Sequence, residues 1–225
     1  MTGREFVESL WSRYHDELEG PVIAIRKALA ELDPLSPEFV GLMQRQAKKE
    51  LAHAVAFTKA LLQYDELEPH ERAGVAEQAA DEYKHYALIN DYLTNRGAAD
   101  DVPAQAYDGY FGQFLTGDVR AFRLCNIAEK SAVVFMQHLR DVTTDPVVRQ
   151  LARDIVDDEE GHEDMVMEKL ARFAEDAGNR EFLENMFVQS WASQKEGVIR
   201  EGRELGVDVE GILRRFEDRS AGRSG

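Results

Sequence analysis

Two stretches of this 225-residue chain read alike: Asp81-Glu82-Tyr83-Lys84-His85 and Asp158-Glu159-Glu160-Gly161-His162. Both are Asp-Glu-x-x-His, inside long runs that carry helical apolar spacing and no proline. On a helix, residues i and i+3 share a face. Each stretch therefore points one carboxylate and one imidazole the same way, which is what a divalent metal needs from one helix. A third Glu-x-x-His, Glu50-Leu51-Ala52-His53, lies upstream, and Glu129 stands alone in Ile127-Ala128-Glu129-Lys130.

Chance is the competing explanation. With 25 Glu in 225 residues, a His finds Glu three positions earlier about one time in nine, so six His should give fewer than one such pair. The chain has three, and their spacing says more. Glu50 and Glu82 are 32 residues apart, with their midpoint in the turn-like Tyr64-Asp65-Glu66-Leu67-Glu68-Pro69. Glu129 and Glu159 are 30 apart, with their midpoint in Thr143-Thr144-Asp145-Pro146. If each pair forms a helical hairpin, its two members stand level, roughly 23 Å from the turn at 1.5 Å per residue. Two such hairpins packed together would bring four carboxylates and at least two imidazoles to one height of a bundle core. That is the ligand set of di-iron carboxylate bundles.

The four segments, in order and spacing, resemble the ferritin-like di-iron superfamily of rubrerythrins, bacterioferritins and small oxygenases such as the aldehyde-deformylating enzymes. The resemblance covers about residues 37–177. It implies an all-α fold: a ferritin-like four-helix bundle with a long crossover, here with extra helices at about 4–31 and 180–217, all in one domain. It also implies two metal ions held by Glu50, Glu82, His85, Glu129, Glu159 and His162, with Glu82 and Glu159 bridging at the catalytic centre. The family pattern places only Glu on the first of these helices, so His53 is an addition. Its role stays open between a seventh ligand, a group beside the metals and a histidine unrelated to them. Asp81 and Asp158 resemble aspartates that hydrogen-bond a ligating imidazole in related monooxygenases and fix its tautomer; surface aspartate is the plain alternative.

Composition narrows the function. A net charge of −16 argues against nucleic acid, whose phosphates would be repelled, and so against the tRNA-modifying branch of the superfamily. No run of 18 apolar residues exists, so no membrane span is expected, and Met-Thr-Gly-Arg-Glu-Phe lacks the apolar stretch of a signal peptide. A single Cys allows no internal disulfide, fits a reducing cytoplasm and leaves out the four-Cys rubredoxin module of many rubrerythrins. Electrons would come from an external donor of the ferredoxin/reductase type.

The supporting elements follow from local signals. Phe6, Leu10, Tyr14 and Leu18 recur every four residues, and Gly20-Pro21 predicts a break before a second apolar run; this helix is expected on the bundle exterior. Ser36-Pro37 opens a helix to about Gln63. The next spans about 70–96 and ends at Gly97, with Val75, Ala79, Tyr86 and Ile89 on the face of Glu82. Tyr86 could reach the metals as a catalytic group, although a core tyrosine with an ordinary hydrogen bond is the commoner case. Tyr107, Tyr110, Phe111 and Phe114 predict a short amphipathic helix in the crossover, which packs on the bundle or makes a homodimer contact. A helix over about 118–142 carries Cys125 four residues before Glu129. Cys125 either lines the cavity beside the metals or is a small buried hydrophobe. Asp145-Pro146 opens the helix of the second Asp-Glu-x-x-His, and 208–217 makes a last short helix.

Carboxylate-rich ligation with imidazole suits two iron ions, or manganese, better than zinc. The expected activity is an O₂-dependent oxidase or oxygenase acting on a small organic substrate by hydroxylation, N-oxygenation or a related oxidation. Rubrerythrin-like peroxide reduction and ferritin-like iron storage use similar ligands and are the alternatives, together with a metal-free helical interaction module.

Overall fold

The computed structural model describes residues 1–99, 115, 117–124 and 130–222, and the side chains of these except 15–16, 130–134, 160–166 and 219–222. All the elements are α-helices: α1 Gly3–Glu31, α2 Pro37–Gln63, α3 Pro69–Thr94, α4 Val119–Arg123, α5 Lys130–Val142, α6 Pro146–Glu175, α7 Ala177–Glu204 and α8 Val209–Gly222. No strand occurs among the described residues, so the all-α expectation holds. The chain divides into two compact units, residues 33–126 and residues 1–32 with 127–225.

The first unit is built on the α2–α3 hairpin. Ser36 caps α2 by accepting from the Phe39 N–H (3.2 Å), with Pro37 at the first helical position. The turn between the helices is fixed by Arg72, whose guanidinium donates to the carbonyls of Leu61 (2.9 Å), Tyr64 (2.9 Å) and Leu67 (3.1 Å). These carbonyls belong to the end of α2 and the turn, where the helix supplies no donors of its own. Glu68 and Glu71 form a capping box that starts α3. Beyond Thr94, Gly97 adopts φ +65°, and the Ala98 N–H donates back to the Leu93 carbonyl (2.9 Å), as expected of a glycine stop. The short α4 covers the turn end. Phe122 stacks on Tyr64 (5.3 Å between centroids), and Arg123 grips the Glu71 carboxylate with two 2.8 Å bonds.

The second unit gathers α5, α6, α7 and α8 around α1, which packs against all four. Two expectations change here. Gly20-Pro21 does not break α1, which runs unbroken through Pro21. The missing proline N–H costs a helix interior on the order of 3 kcal/mol. Pro21 falls on the buried stripe of Val7, Leu10, Leu18, Ile25 and Leu29, and burial of that stripe against neighbouring helices offsets the loss. For the same reason α1 is central to its unit rather than an external addition. At Gly3 a Cβ would stand 2.1 Å from the Ala171 carbonyl, so α1 and α6 approach there as only glycine permits.

Within the helix expected over 118–142, Val119–Arg123 is helical and ends at its Leu124 cap, and Lys130–Val142 is helical; residues 125–129 lie outside the described residues. Asp145 caps α6 by accepting from Val147 (2.7 Å) and Val148 (3.2 Å), so the predicted turn between α5 and α6 is present. The last helix extends to Gly222, past the expected end at 217. The crossover aromatics Tyr107, Tyr110, Phe111 and Phe114 lie outside the described residues. Among the described residues no helix is long and apolar enough to cross a membrane.

Candidate metal centre

The inner face of α2 repeats at intervals of three and four: Phe39, Met43, Gln46, Glu50, His53, Phe57 and Ala60, all buried. This is the apolar stripe of a packed helix with three polar groups in its middle. On α3 the buried face is Val75, Ala79, Glu82, His85, Ile89 and Tyr92. The hairpin therefore buries one polar layer, Glu50, His53, Glu82 and His85, between apolar layers above and below. Exposure confirms how closed it is: 3%, 2%, 5% and 0% respectively.

The two helices meet at the height that equal distances from the turn require. His53 Nδ1 is 3.3 Å from Glu82 Oε1. His85 Nδ1 is 3.9 Å from Glu50 Oε2 and 4.0 Å from Glu82 Oε2. Glu50, His53 and Glu82 can each bring one donor atom within 4.8 Å of the other two, a spread that one metal ion can span. Gln46, one turn before Glu50, donates its side-chain amide to Glu50 Oε1. Sequence reasoning passed over Gln46. Its position four residues before Glu50, on an otherwise apolar stripe, was the available signal.

Electrostatics make the layer costly without a cation. Burial pushes the Glu50 carboxyl well above the usual carboxylate range. The neighbouring Glu82 carboxylate adds to the shift by repulsion and by hydrogen bonding, while His53 and His85 pull the other way. Two carboxylates in one dry layer resist losing both protons. A divalent ion removes that conflict by supplying positive charge between them. Four buried donor groups, two carboxylates and two imidazoles, could hold a transition-metal ion, iron and manganese among them. Calcium and magnesium favour all-oxygen ligands, and structural zinc favours cysteine. The residues present are thus compatible with a metal ion of the kind that the ligand pattern implies.

The remaining predicted residues stand as follows. Tyr86 and Asp81 on α3 are half-buried, one residue to either side of the Glu82–His85 pair. On α6, Glu159 is buried and Asp158 half-buried. His162 lies in α6 but its side chain is outside the described set, and Glu129 and Cys125 lie outside the described residues altogether. No protein-family model, no curated protein and no solved structure matches the chain.

Proposed function

We propose that this chain is a non-haem di-iron oxidase or oxygenase that uses O₂ to oxidise a small organic substrate. The observation that carries the reading is the buried Glu50–His53–Glu82–His85 layer of the α2–α3 hairpin. The second Asp-Glu-x-x-His, on α6, supports it by repeating the donor pattern of α3. In this reading the metals would be held by Glu50, Glu82, His85, Glu129, Glu159 and His162, the set that the resemblance implies, with Glu82 and Glu159 the carboxylates that would be shared between them. Two iron ions held there would supply the two-electron reduction of O₂, with an external donor restoring the electrons.

The chain's own residues have three tasks. Gln46 orients the Glu50 carboxylate through its amide hydrogen bond. The apolar layers on either side, with Met43, Phe57, Val75 and Ile89, exclude water and keep the donors in a medium where charge is strongly felt. In this reading Asp81 and Asp158 would fix the tautomers of His85 and His162, as the resemblance implies, and Tyr86 would serve as a proton donor.

Storage is the reading to separate from this one. Full-length protein is given about a hundred Fe(II) per chain in air, and particle size and soluble iron are measured. A small particle that retains about two iron per chain, and consumes O₂ repeatedly with reductant and faster with the right small molecule, supports the oxygenase. A 24-subunit particle holding most of the iron replaces it with storage.

A further inference from the structure

The donor pattern of di-iron bundles takes a single carboxylate from the helix that precedes the first Glu-x-x-His. Here that helix, α2, is itself Glu-x-x-His, and both members are buried at the level of Glu82. We propose that His53 is a metal ligand, so that Glu50, His53 and Glu82 bind one ion entirely within the α2–α3 hairpin. The proposal rests on the metal-centre reading above and adds an imidazole to it.

Geometry carries the inference. Two donors that each lie about 2.1 Å from one ion are roughly 3.0 Å apart at a right angle and roughly 4.2 Å apart when opposite. The 3.3 Å from His53 Nδ1 to Glu82 Oε1 falls inside that range. The three donors lie within 4.8 Å of one another, so coordination requires the widest pair to close by at most about 0.6 Å. The two oxygens of Glu82 also face different imidazoles: Oε1 is the one nearest His53, and Oε2 lies 4.0 Å from His85 Nδ1. A carboxylate so placed serves His53's ion through one oxygen and His85's ion through the other. The hairpin then contributes one imidazole to each of the two metal positions.

A histidine that only orients Glu82 by a hydrogen bond is the competing role, and it differs in measurable ways. Loss of an orienting neighbour weakens metal binding by about 10–100-fold, whereas loss of a ligand should exceed the upper end of that range. Loss of a ligand also removes one imidazole from the metal's own spectrum.

The test uses the full chain, stripped of metal and titrated with Co(II) without air. Uptake is followed by dialysis and by the paramagnetically shifted, exchangeable imidazole N–H signals in proton NMR. Variants are His53→Ala, His53→Gln and His53→Gly, with His70→Ala as a control at an exposed site; circular dichroism selects the variants that fold. The inference predicts that His53→Ala and His53→Gln lose one shifted N–H signal and weaken one ion by more than 100-fold. It predicts further that free imidazole restores binding to His53→Gly, and that Glu159→Ala/His162→Ala keeps one ion bound. Two ions bound by His53→Ala, with all signals present and less than a tenfold change, would overturn the role of His53 and leave the two-metal reading standing. A wild-type chain that binds one ion, lost in His53→Ala, would support His53 and overturn the two-metal reading. No uptake by the wild type would overturn both.

Discussion

Two clusters in this protein place carboxylates next to nitrogen groups, and they resolve the charge differently. In the unit around α1, Glu17 meets Lys195 and accepts a 2.9 Å bond from the Trp191 indole N–H, with Glu217 3.6 Å from the same lysine. The Glu17 contact, by hydrogen bond and charge, holds the Lys195 ammonium above its ordinary pKa. Opposite charges face each other at a partly wet edge beside Tyr14 and Trp191, which pack ring on ring at 5.2 Å. In the α2–α3 hairpin, Glu50 and Glu82 are buried deeper and face imidazoles, which carry a charge only when protonated. A carboxylate that meets a lysine has its counter-charge built in. Carboxylates that meet imidazoles in a dry layer have donor atoms arranged around a place for a cation. Carboxylates thus act as surface adhesive in one region and form a group that could hold a metal ion in the other.

The sharpest way to break this contrast is Glu82→Ala. It removes the carboxylate that both imidazoles of the hairpin approach, and iron content should fall from about two per chain to near zero, measured by elemental analysis after Fe(II) loading. Full occupancy in the variant would put the layer in the same class as the Glu17–Lys195 edge.

Glu50→Gln tests the strain in the empty layer. It keeps the shape and an acceptor for Gln46 but removes one of two buried like charges. Metal-free protein should therefore gain about 1–2 kcal/mol, roughly 2–8 °C in melting temperature for a chain of this size. With metal present the sign reverses, because a ligand charge is gone. A metal-free variant that melts below wild type would mean that the layer is comfortable without a cation.

A smaller effect comes from His138 on α5. Burial is the main cause that lowers its pKa to about 4, with Arg26 adding to the shift and Asp141 opposing it. Between pH 6.5 and 4 the unfolded chain binds a proton that the folded chain refuses, so this group costs stability as pH falls through that window. His138→Gln should flatten that part of a melting-temperature profile and leave metal content unchanged. An unaltered slope would contradict the assignment.

The smallest change is expected from Lys195→Met, which breaks a partly exposed ion pair worth less than about 1 kcal/mol. Urea denaturation with no loss of iron is the predicted result. A loss of iron would show that the two regions are not separate in function.

These contrasts were unevenly legible in the sequence. The Glu-x-x-His spacing and the turns midway between the paired Glu residues were enough to put Glu50 level with Glu82, because helical rise is fixed and the turn signals at Glu68-Pro69 and Asp145-Pro146 are strong. Gly97 and Ser36-Pro37 likewise marked real ends. Pro21 misled, since its local preference to break a helix was outweighed by burial on a stripe that only tertiary packing creates. Gln46 went unremarked because a lone glutamine has no spacing partner to reveal it. His53 could be seen but not given a role. The 3.3 Å approach to Glu82 across the hairpin depends on side-chain directions that periodicity does not encode.

The most direct test of the whole account is the iron stoichiometry and Mössbauer spectrum of the full-length chain, reconstituted with ⁵⁷Fe(II) without air and then exposed to O₂. The account predicts about two tightly held iron ions per chain, high-spin ferrous before exposure and magnetically coupled ferric afterwards, with both lost in Glu82→Ala. Iron below about 0.2 per chain, or iron that survives Glu82→Ala unchanged, would contradict it.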